Sequence, residues 1–395
     1  MGRVIVLLLF LIFLPPFIWA QAVSLDRGRV RPSNYFEEIE FDITKGKLLV
    51  PVTIAGREYS FILDTGAPNM ISKDLYFTLN PKVSGSIGVM DASGNRELLK
   101  VVSLQGLKMG DVEFLNTPSL VFDFSNDPVF KCYGIDGIIG SNMLRKSVIQ
   151  LDTKRKVLRL SNKIDGLALS NAISTPMELV GSQNSPYIWI NLKGTENARE
   201  RVLVDTGMDK LYAPAKTNYN ILKDKKVFEV VGSSVGTGSV GLFGKGAREE
   251  HFRMILPTLQ LGNFTLSDVP SITTNDTDSK IGAELLVYGS MTLDYRRQRF
   301  YFQPYTEVSR SSKPDFGFTA TVDGDKPVIG FVWDESLKEK IHYGDEILEV
   351  NGVPQGLCEF LTNKRARERR DTLRLKLKPS NGGKSFEINL KKRMM

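Results

Sequence analysis

Histidine and cysteine are scarce, with 2 of each among 395 residues. His251 and His342 are too few to build a histidine-based zinc site. Two cysteines exclude a disulfide scaffold. Cys132 and Cys358 fall in different segments and could pair across domains, but the plainer expectation is two isolated thiols. Beyond the first two dozen residues no apolar run is long enough to span a membrane, and no cysteine follows that segment to carry a lipid anchor. Nucleic-acid motifs and basic patches interleaved with aromatics are also missing, so a nucleic-acid role is not expected.

What is present begins with a leader. Arg3 precedes an apolar run over residues 4–14, Pro15-Pro16 interrupts it, and Ala20-Gln21-Ala22 closes it. A basic start, a short apolar middle and a small-residue end predict a secretory signal peptide over 1–22, with export to a periplasmic or extracellular space. The net charge of +7 is uneven. Residues 363–395 hold twelve Lys/Arg against three acids, which leaves the rest of the mature chain near −3. A solvated face is the plainer reading of this basic tail.

Most of the chain reads as short strands rich in Val, Ile and Leu, as at residues 47–54, 58–63, 98–107 and 157–160. The expected class is mainly β. One long repeat organises it. Phe61-Ile62-Leu63-Asp64-Thr65-Gly66 returns as Val202-Leu203-Val204-Asp205-Thr206-Gly207. Gly137-Ile138-Ile139-Gly140 has a looser echo in Lys280-Ile281-Gly282, 77 residues after Asp205 where the first copy lies 76 after Asp64. Two homologous lobes follow, over residues 23–167 and 168–305, joined near 168–176. Residues 23–40 read either as a short pro-segment or as the first strand.

A single Asp-Thr-Gly reads most simply as a turn. Two copies, each after an apolar strand and at matching offsets from a second motif, point to chemistry. Two carboxylates about 3 Å apart do not both ionise readily and share a proton. The ionised member can act as general base on water, and the protonated member can donate to a carbonyl and later to a leaving amine. Asp64 and Asp205 are the candidate pair. Gly66 and Gly207 permit a sharp turn whose amide donates to a carboxylate, and the Thr65 and Thr206 hydroxyls can bond across the lobe interface.

On these motifs the two lobes resemble the aspartic peptidases, in particular the retropepsin-like group of bacteria, over residues 45–303. The resemblance implies an endopeptidase acting on peptide or protein substrates through Asp64 and Asp205. Such an enzyme uses neither metal nor cofactor, and with both aspartates in one chain a monomer suffices. In that family a hydrophobic-hydrophobic-Gly stretch packs beneath each loop. Residues 138–140 fit it, whereas Lys280 replaces an apolar residue in 280–282. Ala67 follows the first loop as in retropepsins, but Met208 after the second is bulky and brings no hydroxyl. A flap is expected at residues 88–94, with Met90, Asp91 and Ser93 as candidates, and a counterpart at 235–241. The alternative is a peptide-binding protein on the same fold with weak or no catalysis.

Residues 306–314 read as a linker, and 315–395 as a third unit. Its order is strand, strand, short helix (335–340), strand, longer helix (355–370) and two strands. The run Gly344-Asp345-Glu346-Ile347-Leu348-Glu349-Val350-Asn351-Gly352 resembles a PDZ domain. That resemblance implies a groove for an extended peptide ligand, formed by residues 316–321 or the neighbouring strand with the helix near Phe360.

Overall fold

Alternating apolar residues between turn-forming Gly, Asn and Asp produce short strands throughout, and the fold is mainly β. The computed structural model describes residues 23–43, 46–238, 240–306, 308–311 and 314–394. The expected leader, 1–22, lies outside the described residues. Among those described, no helix is long and apolar enough to cross a membrane.

The two sequence repeats build matching substructures. Strand Arg57–Asp64 lies parallel to Gly137–Gly140, with Asp64 opposite Gly140. Strand Asn197–Asp205 lies parallel to Lys280–Gly282, with Asp205 opposite Gly282. The near-equal spacings seen in the sequence are this shared register, in which a one-residue slip would turn each side chain to the other face. The first pair belongs to a ten-stranded sheet and the second to a nine-stranded one. A six-stranded sheet joins them. At its centre Val148–Asp152 from the first repeat runs antiparallel to Gly289–Asp294 from the second, and the Gln150 amide donates to Thr292 Oγ1 at 3.0 Å.

One apolar core runs beneath both repeats. It includes Leu63 and Ile139 from the first, and Val204, Ile281 and Leu293 from the second. Each such side chain contributes about 1.5–3 kcal/mol on burial. Because the core is continuous, the two Asp-Thr-Gly loops rest on one rigid base.

Residues 29–40 are built into this framework. Arg29–Arg31 pairs with Val112–Leu115, and Phe36–Glu40 pairs with Val157–Ser161. The joint between repeats also contains a strand, Ile173–Pro176, on the edge of the joining sheet. The expected linker likewise holds a strand, Val308–Arg310, parallel to Phe264–Ile272. Its polar text read as a loop because an edge strand takes its order from a neighbour's backbone.

The third unit has its own sheet and core. Its six strands, from Phe318–Asp323 to Phe386–Lys391, surround Ile329, Ile341, Ile347, Phe360 and Leu375. Asn351 and Gly352 take positive φ in the tight turn between Glu346–Val350 and Val353–Pro354. The expected long helix is two short ones, Leu357–Thr362 and Lys364–Glu368, broken at Asn363.

The two cysteines are not isolated thiols. Cys132, in helix Pro128–Tyr133, is disulfide-bonded to Cys358, in helix Leu357–Thr362. Their 226-residue separation gave no sign of proximity, which arises because the two helices pack together with Val129, Val322 and Leu361 around the bond. The third unit is thereby fastened to the first repeat.

Candidate active site

Both Asp-Thr-Gly segments leave a buried strand and turn back at the glycine, so their tips meet. A methyl group on Gly66 would stand 2.5 Å from Asp205 Cγ, and one on Gly207 would stand 2.2 Å from an Asp64 carboxylate oxygen. No side chain fits there, which is why glycine occupies both positions. Gly140 and Gly282 are excluded from carrying a Cβ in the same way. Each would collide with backbone of the loop above it, Ala67–Asn69 in the first case and Met208 and Lys210 in the second.

The loops are locked by four reciprocal hydrogen bonds. Thr65 Oγ1 donates to Val204 O at 2.6 Å and accepts from Thr206 N at 3.1 Å. Thr206 Oγ1 donates to Leu63 O at 2.9 Å and accepts from Thr65 N at 3.0 Å. Both threonines are buried, so each bond would be costly to leave unmade. Asp64 and Asp205 are consequently within side-chain hydrogen-bonding reach of one another.

The two carboxyls share a backbone setting but differ electrostatically. Asp64 Oδ1 accepts from Gly66 N at 2.8 Å. Asp205 Oδ1 accepts from Gly207 N at 2.9 Å and Met208 N at 3.1 Å. Lys280 Nζ stands 2.9 Å from the other oxygen, Asp205 Oδ2, and 2.6 Å from Asp276 Oδ2. Burial pushes the Asp64 carboxyl up to about 7, and the charge of Asp205 adds to this; Lys280, Lys47 and the Gly66 amide offset it only in part. Burial also works against the charge on Asp205, but Lys280 and the hydrogen bond from Asp64 outweigh it and hold this carboxyl below its ordinary value. The two surroundings thus push the carboxyls in opposite directions, Asp64 towards the neutral acid and Asp205 towards the anion.

Met208 is compatible with the second loop. Its amide reaches Asp205, and its carbonyl accepts from Ala283 N at 2.8 Å. Sequence reasoning treated Lys280 as a blemish in a packing motif and passed over Lys47, whose Nζ donates to Gly207 O at 2.6 Å. The available signal was the position of Lys280. It lies two residues before Gly282, on the strand that must pair with 203–205, and four after Asp276.

The flap candidates lie on a hairpin formed by Lys82–Met90 and Arg96–Leu104. Met90 is partly exposed beside the tip, and Asp91 and Ser93 are in it. Asp91 Oδ1 accepts from Ser93 N and Asn95 N, while Oδ2 accepts from Phe243 N at 2.7 Å. Phe243 belongs to a small second-repeat hairpin, Val240–Gly241 with Gly244–Lys245. It packs with Leu242 against an apolar cluster that includes Ile87, Val89 and Ala67. The counterpart expected at 235–241 runs from the end of strand Glu229–Gly236 into the first strand of this hairpin, residue 239 lying outside the described residues, and the longer strand packs against the third unit: Val332 N donates to Ser234 Oγ at 3.0 Å. The two hairpin tips therefore touch, and the second is braced from behind.

Comparison with known proteins agrees with the first half of this arrangement. Residues 50–143 match the family of aspartyl proteases. That span contains the first Asp-Thr-Gly loop and the glycine motif beneath it, but not the second repeat. An aspartic proteinase from Irpex lacteus is similar over 69% of this chain and 98% of its own, at 14% identity and a TM-score of 0.43. No curated protein matches the chain.

Proposed function

We propose that the protein is an aspartic endopeptidase that hydrolyses peptide bonds between Asp64 and Asp205. The observation that carries this reading is the reciprocal Thr65–Thr206 lock, which brings the half-buried Asp64 carboxyl and the buried Asp205 carboxyl together. In the proposed reaction the Asp205 carboxylate removes a proton from water as its oxygen attacks the scissile carbonyl carbon. Asp64 gives its proton to the carbonyl oxygen as the tetrahedral adduct forms. Collapse of the adduct breaks the C–N bond. Asp205 gives the proton it took from water to the departing nitrogen, and a hydroxyl of the adduct returns a proton to Asp64, leaving an amine, a carboxylic acid and the original pair. The hairpin carrying Met90, Asp91 and Ser93 acts as the flap and must part from Phe243 to admit an extended peptide.

The leader motif supports export to a periplasmic or extracellular space, where a disulfide such as Cys132–Cys358 is expected to persist. For the third unit, the glycine-aspartate run and its turn support a PDZ-like fold. Its Val322, Leu357 and Leu361 are covered by Val129 and Cys132 of the first repeat and by Val240, so this surface serves as an internal dock before it serves any outside peptide. The second reading, a peptide binder with little catalysis, draws on the latched hairpin tips. Incubation with an unfolded protein from pH 3 to 8 separates the two. A peptidase gives fragments with the native chain and none with Asp64→Asn or Asp205→Asn. Absence of cleavage by the folded native chain across that range overturns the peptidase reading.

A further inference from the structure

The strands that carry the two loops pair in the same register but differ at one position beneath them. Ile138 stands two residues before Gly140, opposite Ile62, and packs in an apolar cluster. Lys280 stands two residues before Gly282, opposite Leu203, and reaches the outer oxygen of Asp205. The side chains of Lys280, Asp205 and Asp276 are only 11%, 8% and 13% exposed. A buried ammonium is strongly disfavoured unless paired, and here two carboxylates within 3 Å pair it.

Other charged and titratable groups near the pair do not duplicate this contact. Lys47 binds the Gly207 carbonyl rather than a carboxylate. Tyr295 reaches Ser141 Oγ at 3.1 Å, beneath the first loop. Lys364 of the third unit is paired with Asp209, beyond the second loop. Besides the second backbone donor, Met208 N, the Lys280 ammonium is the contact that separates the two aspartates.

We infer that Lys280 is a positioning residue that fixes the roles within the pair, holding Asp205 as the ionised partner so that the proton resides on Asp64. Asp276 takes the far side of the same ammonium at 2.6 Å and so divides its charge with Asp205. The inference rests on the peptidase reading for its catalytic meaning, but the proton's location can be read without turnover. Lys280 also does for the outer oxygen of Asp205 what a hydroxyl at position 208 would otherwise do, since Met208 has none.

The test is a titration of the full chain carrying 13C-labelled aspartate carboxyls, assigned with Asp64→Asn and Asp205→Asn and followed from pH 3 to 9 alongside kcat and KM. The native chain should show Asp64 titrating near 7 and Asp205 titrating below the ordinary carboxylate range. Lys280→Ile, which copies Ile138, should remove that order. Its kcat at pH 3–4 should fall at least tenfold relative to its own maximum, with KM little changed, and Lys280→Arg should restore the acid limb. If Lys280→Ile does not fold, Asp276→Asn carries the test: it leaves Lys280 to Asp205 alone and should extend the acid limb to lower pH. Carboxyl titrations that are the same in native and Lys280→Ile chains, or an acid limb that neither variant moves, overturn the inference. The predicted titrations in a chain that cleaves nothing would sink the peptidase reading while leaving the role of Lys280 intact.

Discussion

The first and second repeats share a backbone and differ in charge. In the first, the position two residues before Gly140 is the apolar Ile138, and burial pushes Asp64 towards the neutral acid. In the second, Asp205 lies beside Lys280 and is held as the anion. Two copies of one motif thus yield an acid and a base, because the side chain two residues before the packing glycine is apolar in one copy and cationic in the other. In a symmetric pair the proton has no fixed home; here the surroundings give it one.

The largest way to break the comparison is to neutralise either carboxyl. Asp64→Asn and Asp205→Asn should each lower kcat/KM at least about 10³-fold, measured on one peptide at the optimum pH. The next largest effect concerns the lock that joins the halves. Thr65→Val and Thr206→Val each remove one hydroxyl that both donates and accepts, and each should cost about 2–4 kcal/mol in denaturant unfolding. Similar losses would confirm that the lock is symmetric although the charges are not; a much smaller loss for one would locate the rigidity in the other repeat.

Asp64 also predicts a pH effect on stability. Its folded value of about 7 exceeds the ordinary 3.8, so the folded chain holds this proton more tightly than the unfolded chain does. The contribution is complete below about pH 4 and is lost as pH rises through about 7. Asp64→Asn should therefore gain stability relative to the native chain between pH 4 and 8, by up to about 4 kcal/mol. Thermal unfolding at the two pH values checks the sign, and a gain of equal size at pH 4 would contradict it. The smallest effect is expected at position 208. Because Lys280 already occupies the outer oxygen of Asp205, Met208→Thr should change kcat/KM less than about threefold. A large gain would mean that the second loop lacks support which the lysine does not give.

The parts of this comparison differ in how far they could be read from the residues. The loops were legible because register forces a fixed spacing between Asp64 and Gly140 and between Asp205 and Gly282. The division of labour was not, because a lysine in an apolar motif looks like a defect until the sheet shows which carboxylate it meets. The Cys132–Cys358 bond was hidden for a similar reason, since it depends on how one helix of the third unit docks on another in the first repeat. The strand Val308–Arg310 escaped notice because its partner, Phe264–Ile272, supplies the apolar pattern that its own sequence lacks.

The central claim is that two distant Asp-Thr-Gly segments form one catalytic unit, and a double-mutant cycle on kcat/KM tests it most directly. The account predicts that Asp64→Asn and Asp205→Asn each abolish nearly all cleavage and that the double variant is no worse than either single one. Losses that multiply in the double variant, or substantial cleavage surviving either single substitution in a folded chain, would contradict it.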